Sequence, residues 1–139
     1  MSSAPKAFIP YGRQNITEAD IAAVESVLRS SFLTQGPAIP AFEQAVAAKV
    51  DARYGVAVNS ATSALHIACL ALGLGSGDRL WTSPITFVAS ANCGRYCDAT
   101  VDFVDIDPAT GLISVPALEQ KLQHAERDGT LPKLWCLCI

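Results

Sequence analysis

Gly55-Val-Ala-Val-Asn59-Ser60-Ala61-Thr62-Ser63-Ala64-Leu65-His66 holds a strand-to-helix junction. Val56 and Val58 give a short β-branched run that reads as a buried strand and stops at Asn59-Ser60. An apolar-periodic helix follows at once, with Leu65, Ala68, Cys69 and Leu72 at i, i+3, i+4 and i+7. The first turn of a helix leaves backbone N–H groups without partners and carries the positive end of the macrodipole. With Ser60, Thr62 and Ser63 as further donors, the junction has the chemistry of a phosphate seat. Ordinary N-capping by Asn59 or Ser60 uses the same residue types, so both readings stand at this point.

Outward from the junction, strands and helices alternate. Downstream we expect a helix over 61–73 halted by Gly73, Gly75 and Gly77, then a strand over 79–82 and a helix over 86–96. A strand over 100–104, the acidic turn Asp105-Ile-Asp107-Pro108, a helix capped by Ser114 running to about Arg127, and an apolar strand over 133–139 complete it. That alternation from residue 55 onward indicates an α/β fold with a parallel sheet and crossover helices. Upstream, Thr17-Glu-Ala-Asp20 resembles a capping box opening a helix to about Ser30, with Ile21, Val24, Val27 and Leu28 as its apolar stripe. A loop containing Gly36-Pro37 leads to a second helix over 37–53, expected to turn Ile39, Phe42, Val46 and Val50 inward.

The 139 residues fit one domain on length alone, and 50% apolar content suffices for a core. A net charge of −3 lacks the basic face that nucleic acid requires. No apolar run approaches the ~18–20 residues that span a bilayer, and the first residues lack a signal-peptide pattern, so no membrane is expected. Five cysteines without paired zinc spacing read as reduced thiols of a cytoplasmic protein, and no metal site is expected. Asp102, Asp105 and Asp107 read as turn and helix-start residues, lacking the alternating ligands of a calcium loop. His124 and Asp128 read as a solvated helix face. His66 suits a packed or surface position, not an acid–base group. The chain halts within what reads as a central strand, and we expect an N-terminal fragment.

The motifs Asn59-Ser-Ala-Thr-Ser-Ala-Leu65, Leu72-Gly-Leu-Gly-Ser-Gly-Asp78 and Ser83-Pro-Ile-Thr-Phe-Val-Ala-Ser-Ala-Asn92, preceded by Leu33-Thr-Gln-Gly-Pro37 and Phe42-Glu43, resemble the DegT/DnrJ/StrS-type pyridoxal-phosphate sugar aminotransferases. The resemblance runs from about Ile9 to about Leu122, in the family's order and spacing. It is most similar to the branch that makes the 4-amino-4,6-dideoxy-N-acetyl-altrosamine precursor of pseudaminic acid. What the resemblance implies is the N-terminal part of a fold type I, aspartate-aminotransferase-like large domain: three layers around a mainly parallel sheet. Residues 1–16 would be an N-terminal arm, 17–53 the N-terminal helices and 54–139 a partial α/β sheet region, with the C-terminal small domain absent. The implied function is amination of UDP-4-keto-6-deoxy-N-acetylhexosamine by glutamate in surface-glycan biosynthesis, with pyridoxal 5'-phosphate as cofactor and a homodimer as the assembly. The cofactor-binding lysine and the aspartate that meets the pyridine nitrogen would lie beyond Ile139. Lys133 does not match the family's lysine motif, so the chain alone is expected to be inactive. A dehydratase of the same fold, with histidine for the lysine, and a non-catalytic remnant of a disrupted gene are the alternatives.

The resemblance also assigns residues. Thr62 and Ser63 match the positions that hold the cofactor phosphate. Phe87 falls where the family stacks an aromatic ring on the pyridine face, although a core phenylalanine would look the same in sequence. Asn92 could reach the cofactor or substrate, or be a satisfied helical asparagine. Thr34, Gln35 and Gly36 match a substrate-binding loop at the active-site mouth, or form a turn and nothing more.

Overall fold

A computed structural model describes residue 10 and residues 12–136, with the backbone alone for 134–136. The chain forms two compact units, Met1–Ala57 and Val58–Ile139.

The first unit contains helices α1 (Glu18–Leu28) and α2 (Ala38–Lys49). The capping box forms as the sequence predicts. Thr17 Oγ1 accepts the Asp20 N–H at 3.3 Å, and the Asp20 carboxylate accepts the Thr17 N–H at 2.7 Å. That backbone bond, then the Thr17 hydroxyl, holds the Asp20 carboxyl below the usual carboxylate range. The expected inward stripes do not form. Val24 and Leu28 are 61% and 65% exposed, and Phe42 and Val50 are 61% and 66% exposed. Within this unit α2 buries Ala47 instead. The reason lies in what α2 faces: Gly55 stands against the Glu43 backbone, so the helix packs through its Glu43–Ala47 side. Helix α2 also stops at Lys49, short of residue 53, because Asp51 turns left-handed (φ 53°) and the Ala52 N–H returns to Ala47 O.

Residues 55–58 depart from expectation. They belong to no strand among the described residues, and Val56 is 74% exposed. A strand needs a neighbouring ladder, whereas here the Ala57 N–H donates to Glu43 Oε1 at 2.8 Å.

The second unit is the α/β part. It contains α3 (Ala61–Ala71), β1 (Arg79–Thr82), α4 (Ala89–Tyr96), β2 (Thr100–Phe103), α5 (Val115–Asp128) and β3 (Leu134–Cys136). The sheet order is β2-β1-β3, and both pairings are parallel, with Leu80 opposite Val101 and Leu134. Alternation along β1 feeds two cores. Leu80 packs with Cys69, Leu74, Cys93, Cys97 and Ala99 from the α3–α4 side, and Trp81 packs with Val104, Ala125, Leu118 and Leu122 from the α5 side. The sheet is therefore the middle of three layers. Gly94 lets α4 lie against it, since a Cβ there would stand 2.9 Å from Val101 Cγ2 and 3.2 Å from Leu80 Cβ. Of the strand expected over 133–139, residues 137–139 lie outside the described part.

Candidate functional site

Helix α3 ends beside Gly73, whose carbonyl accepts a hydrogen bond from Lys133 Nζ, and the Lys133 N–H donates to Arg79 O. The C-terminal end of α3 thus sits at the amino ends of β1 and β3. Eleven residues at ~1.5 Å rise carry its first turn some ~15 Å toward the carboxyl edge. Helix α4 leads from the carboxyl end of β1 back to the amino end of the parallel strand β2, so it runs in the same direction as α3. The His66 and Tyr96 rings meet edge-on with centroids 5.3 Å apart. Both helices therefore start at the carboxyl edge of the parallel sheet, where open α/β folds bind ligands.

At the start of α3, Ser60 is the N-cap in extended conformation (φ −163°, ψ 158°). Its Oγ accepts the Ser63 N–H at 3.2 Å and lies 3.1 Å from Ser63 Oγ. The Ser63 hydroxyl donates to Asn59 Oδ1 at 2.6 Å. Capping is therefore real, and it engages Ser60, Asn59 and Ser63 together. The amides of Ala61 and Thr62, at the first two helical positions, have no acceptor within the helix. Thr62 is half-buried, and the first turn carries no acidic residue to repel an anion. Two amides, the Thr62 hydroxyl and a Ser63 hydroxyl that can exchange Asn59 for another acceptor make a donor set that fits a phosphate.

Phe87 lies not on a helix, as its sequence setting suggests, but in the loop just before α4. Pro84 follows β1 closely, and Ser83 Oγ accepts the Ile85 N–H at 3.3 Å, holding residues 83–88 as a turn segment. The Phe87 ring is 69% exposed, so it is not a core phenylalanine. Asn92 is half-buried on α4, one helical turn after Val88, whose carbonyl accepts its N–H at 3.0 Å.

Thr34, Gln35 and Gly36 belong to the first unit. Gln35 adopts a left-handed conformation (φ 54°), and Gly36 leaves no room for a side chain, since a Cβ would stand 2.9 Å from Phe32 Cβ. The segment is a tight turn in this structure.

Other residues weighed from the sequence have separate duties. Asp102 pairs with Lys121 at 2.6 Å, Asp105 Oδ1 accepts the Ile106 N–H, and Asp107 Oδ1 accepts the Ala109 N–H. Cys69, Cys93 and Cys97 are buried free thiols, and burial first, then the neighbouring thiols, pushes Cys69 up to about 12. His124 and Asp128 are exposed. Sequence reasoning gave Glu43 no task, although its carboxylate reaches the Ala57 N–H. Its only signal was its place in the Phe42-Glu43 motif. Among the described residues, no helix is long and apolar enough to cross a membrane.

Residues 14–128 match the DegT/DnrJ/EryC1/StrS aminotransferase family. The spore coat polysaccharide biosynthesis protein SpsC of Bacillus subtilis is 43% identical over 112 residues, which cover 81% of this chain and 29% of that protein. The putative sugar aminotransferase Spr1654 of Streptococcus pneumoniae, solved in its PLP form, superposes with a TM-score of 0.76 at 34% identity over 81% of this chain and 29% of its own. PseC of Helicobacter pylori, an aminotransferase involved in the biosynthesis of pseudoaminic acid, gives 0.74 at 34% identity over 80% and 30%. The chain thus spans less than a third of the length of these relatives. Enzymes of this family use pyridoxal phosphate. With these matches over a parallel α/β unit that carries the motifs, the chain belongs to the DegT/DnrJ/EryC1/StrS aminotransferase family.

Proposed function

We propose that this chain supplies the cofactor-phosphate seat of a sugar aminotransferase, one that moves an amino group from glutamate to the 4-keto position of a nucleotide sugar. The first turn of α3 carries this reading, with amides at Ala61 and Thr62 that have no acceptor within the helix, hydroxyls at Thr62 and Ser63, and no acidic residue. Pyridoxal phosphate, when bound, supplies the electron sink for amino transfer. The chain's own part is to bind and orient. Thr62 and Ser63 would hold the phosphate, the exposed Phe87 ring would cover a face of the pyridine and exclude water, and Asn92 would offer an amide to cofactor or substrate. In the first unit, the turn Thr34-Gln35-Gly36 would contact the sugar nucleotide.

The names of SpsC and PseC support a role in surface-glycan biosynthesis, and the PseC likeness supports UDP-4-keto-6-deoxy-N-acetylhexosamine, on the way to pseudaminic acid, as substrate. A cytoplasmic homodimer completes the reading; the buried free thiols of the second unit suit a reducing compartment. The chain by itself has no transaminase activity in this reading.

Titrating the chain with pyridoxal phosphate, inorganic phosphate and pyridoxal while following backbone amides by NMR tests the seat. The two phosphates should shift the amides of residues 61–63, and pyridoxal should not. Equal shifts from pyridoxal, or none from either phosphate, would leave the junction as a helix cap alone.

A further inference from the structure

We propose that Asp102 and Lys121 together guard the outer edge of β2 against pairing with the same edge of a second copy of this chain. Strand β2 ends the β2-β1-β3 sheet, with a neighbouring strand on the β1 side alone among the described residues. Toward β1, the Thr100 N–H donates to Asp78 O at 3.0 Å and the Val104 N–H donates to Thr82 O at 2.9 Å. Backbone groups along a strand alternate between its two edges, so the N–H and carbonyl of Phe103 face away from β1. Those are the groups an incoming strand would pair with.

Both groups are already occupied. The Phe103 N–H donates to Asp102 Oδ1 at 2.8 Å, and the Phe103 carbonyl accepts from Lys121 Nζ at 2.5 Å. The second carboxylate oxygen, Asp102 Oδ2, lies 2.6 Å from the same Nζ. One ion pair therefore closes over the donor and the acceptor of a single edge residue. Lys121 reaches that edge from α5 across the sheet face, where its Nζ stands 5.0 Å from the Trp81 ring centroid. Its approach is thus set by the layer packing, not by β2 alone. Without the pair this edge would invite association. The Phe103 side chain is 47% exposed, so strand addition would take apolar surface out of water. A second copy presents an edge of identical sequence, and two such edges can meet antiparallel about a two-fold axis. To do so, each copy must first strip Asp102 and Lys121 from Phe103.

The test compares the unaltered chain with Asp102→Ala, Lys121→Met, the double variant and Lys121→Arg. Each is prepared as an equal mixture of nitrogen-labelled and carbon-labelled copies, so that isotope-filtered NMR reads contacts between copies only. In dilute solution Asp102→Ala should exchange its Phe103 amide about tenfold faster, the scale of one hydrogen bond to a charged group. As concentration rises, the double variant should show contacts between the 100–104 segments of different copies and a slowed Phe103 amide, with its helix signal unchanged. The unaltered chain and Lys121→Arg, which keeps a cationic donor, should show no such contacts. Association through other apolar surfaces would place the contacts elsewhere, and is told apart in the same spectra. A folded double variant with no contacts between 100–104 segments overturns the proposal. An unaltered chain that pairs through β2 as readily as the double variant overturns it equally. Should the double variant not fold, Lys121→Met, which keeps its stem on Trp81, decides by the same contacts.

Discussion

Thr62 and Ser63 are neighbours in sequence but differ in how far their groups are already committed. Ser63 gives its N–H to Ser60 Oγ and its hydroxyl to Asn59, whereas the Thr62 amide has no acceptor within the helix. Replacing either hydroxyl by alanine should weaken phosphate binding by about 1.5–3 kcal/mol, the range for hydrogen bonds to charged groups. Ser63→Ala should sit at the low end, because its hydroxyl must first leave Asn59. The double variant should still bind weakly, since the backbone amides remain. His66→Ala removes a ring set edge-on against Tyr96 and should leave affinity unchanged. Calorimetric titration with pyridoxal phosphate reads all four variants, and an unchanged constant in the double variant would return both residues to capping. Thr82 offers a prediction of opposite sign. Its side chain is buried, and among the described residues its Oγ1 finds no partner. A buried orphan hydroxyl costs about 1–3 kcal/mol, so Thr82→Val should raise the unfolding free energy by about 1 kcal/mol. Denaturant titration checks it, and a loss of stability would mean that the hydroxyl has a duty.

Between elements, α5 is tied to the sheet by Lys121, whose Nζ lies 2.6 Å from Asp102, donates to Phe103 O and sits 5.0 Å above the Trp81 ring. Burial pushes the Asp102 carboxyl up, but the Lys121 hydrogen bond and the Phe103 N–H outweigh it, and the group ends below its usual value. A carboxyl that is more acidic folded than unfolded stabilises the fold above its unfolded pKa. That stabilisation fades as pH falls through the folded value. Lys121→Met should therefore flatten the acid limb of stability between pH 5 and pH 2 while keeping most of the stem packing on Trp81. Denaturant midpoints measured across that range decide it, and parallel curves for the two proteins would refute the tie. These ties explain what could be read in advance. The capping residues Thr17, Ser60 and Ser114, the stop at Gly73 and, of the alternation read from residue 55 onward, the part from α3 on are local chemistry, and local chemistry is written in sequence. The apolar stripes of α1 and α2 and the run Val56–Val58 are also visible, but their burial depends on a covering surface, which periodicity does not supply. Phe87 was legible as an aromatic in a motif, whereas its place in a loop followed from Pro84 and the Ser83 hydroxyl. Glu43 was illegible as a tie because its bond spans 14 residues.

At the scale of the whole chain, burial is the deciding quantity. Large apolar side chains stand in water in each unit: Ile16, Val24 and Leu28 around α1, and Ile85, Phe87 and Val88 before α4, are each at least 60% exposed. Ile16, Ile21, Val24 and Leu28 line one shallow, almost wholly apolar groove in the first unit. Monomeric proteins rarely leave continuous apolar surface of this kind uncovered. Water would be relieved of it by association, at roughly 25 cal/mol for each Å² removed. With a net charge of only −3, electrostatic repulsion opposes that weakly. We therefore expect the isolated chain to self-associate and to bind a hydrophobic dye strongly at neutral pH. Val24→Glu with Leu28→Lys places opposite charges one helical turn apart on the exposed face of α1, and should lower both dye binding and sedimentation coefficient without loss of helix signal. Sedimentation velocity at several concentrations is the deciding measurement. A single species of 14.6 kDa with a cooperative melt and no dye binding would show that the apolar faces are tolerated in water as they stand.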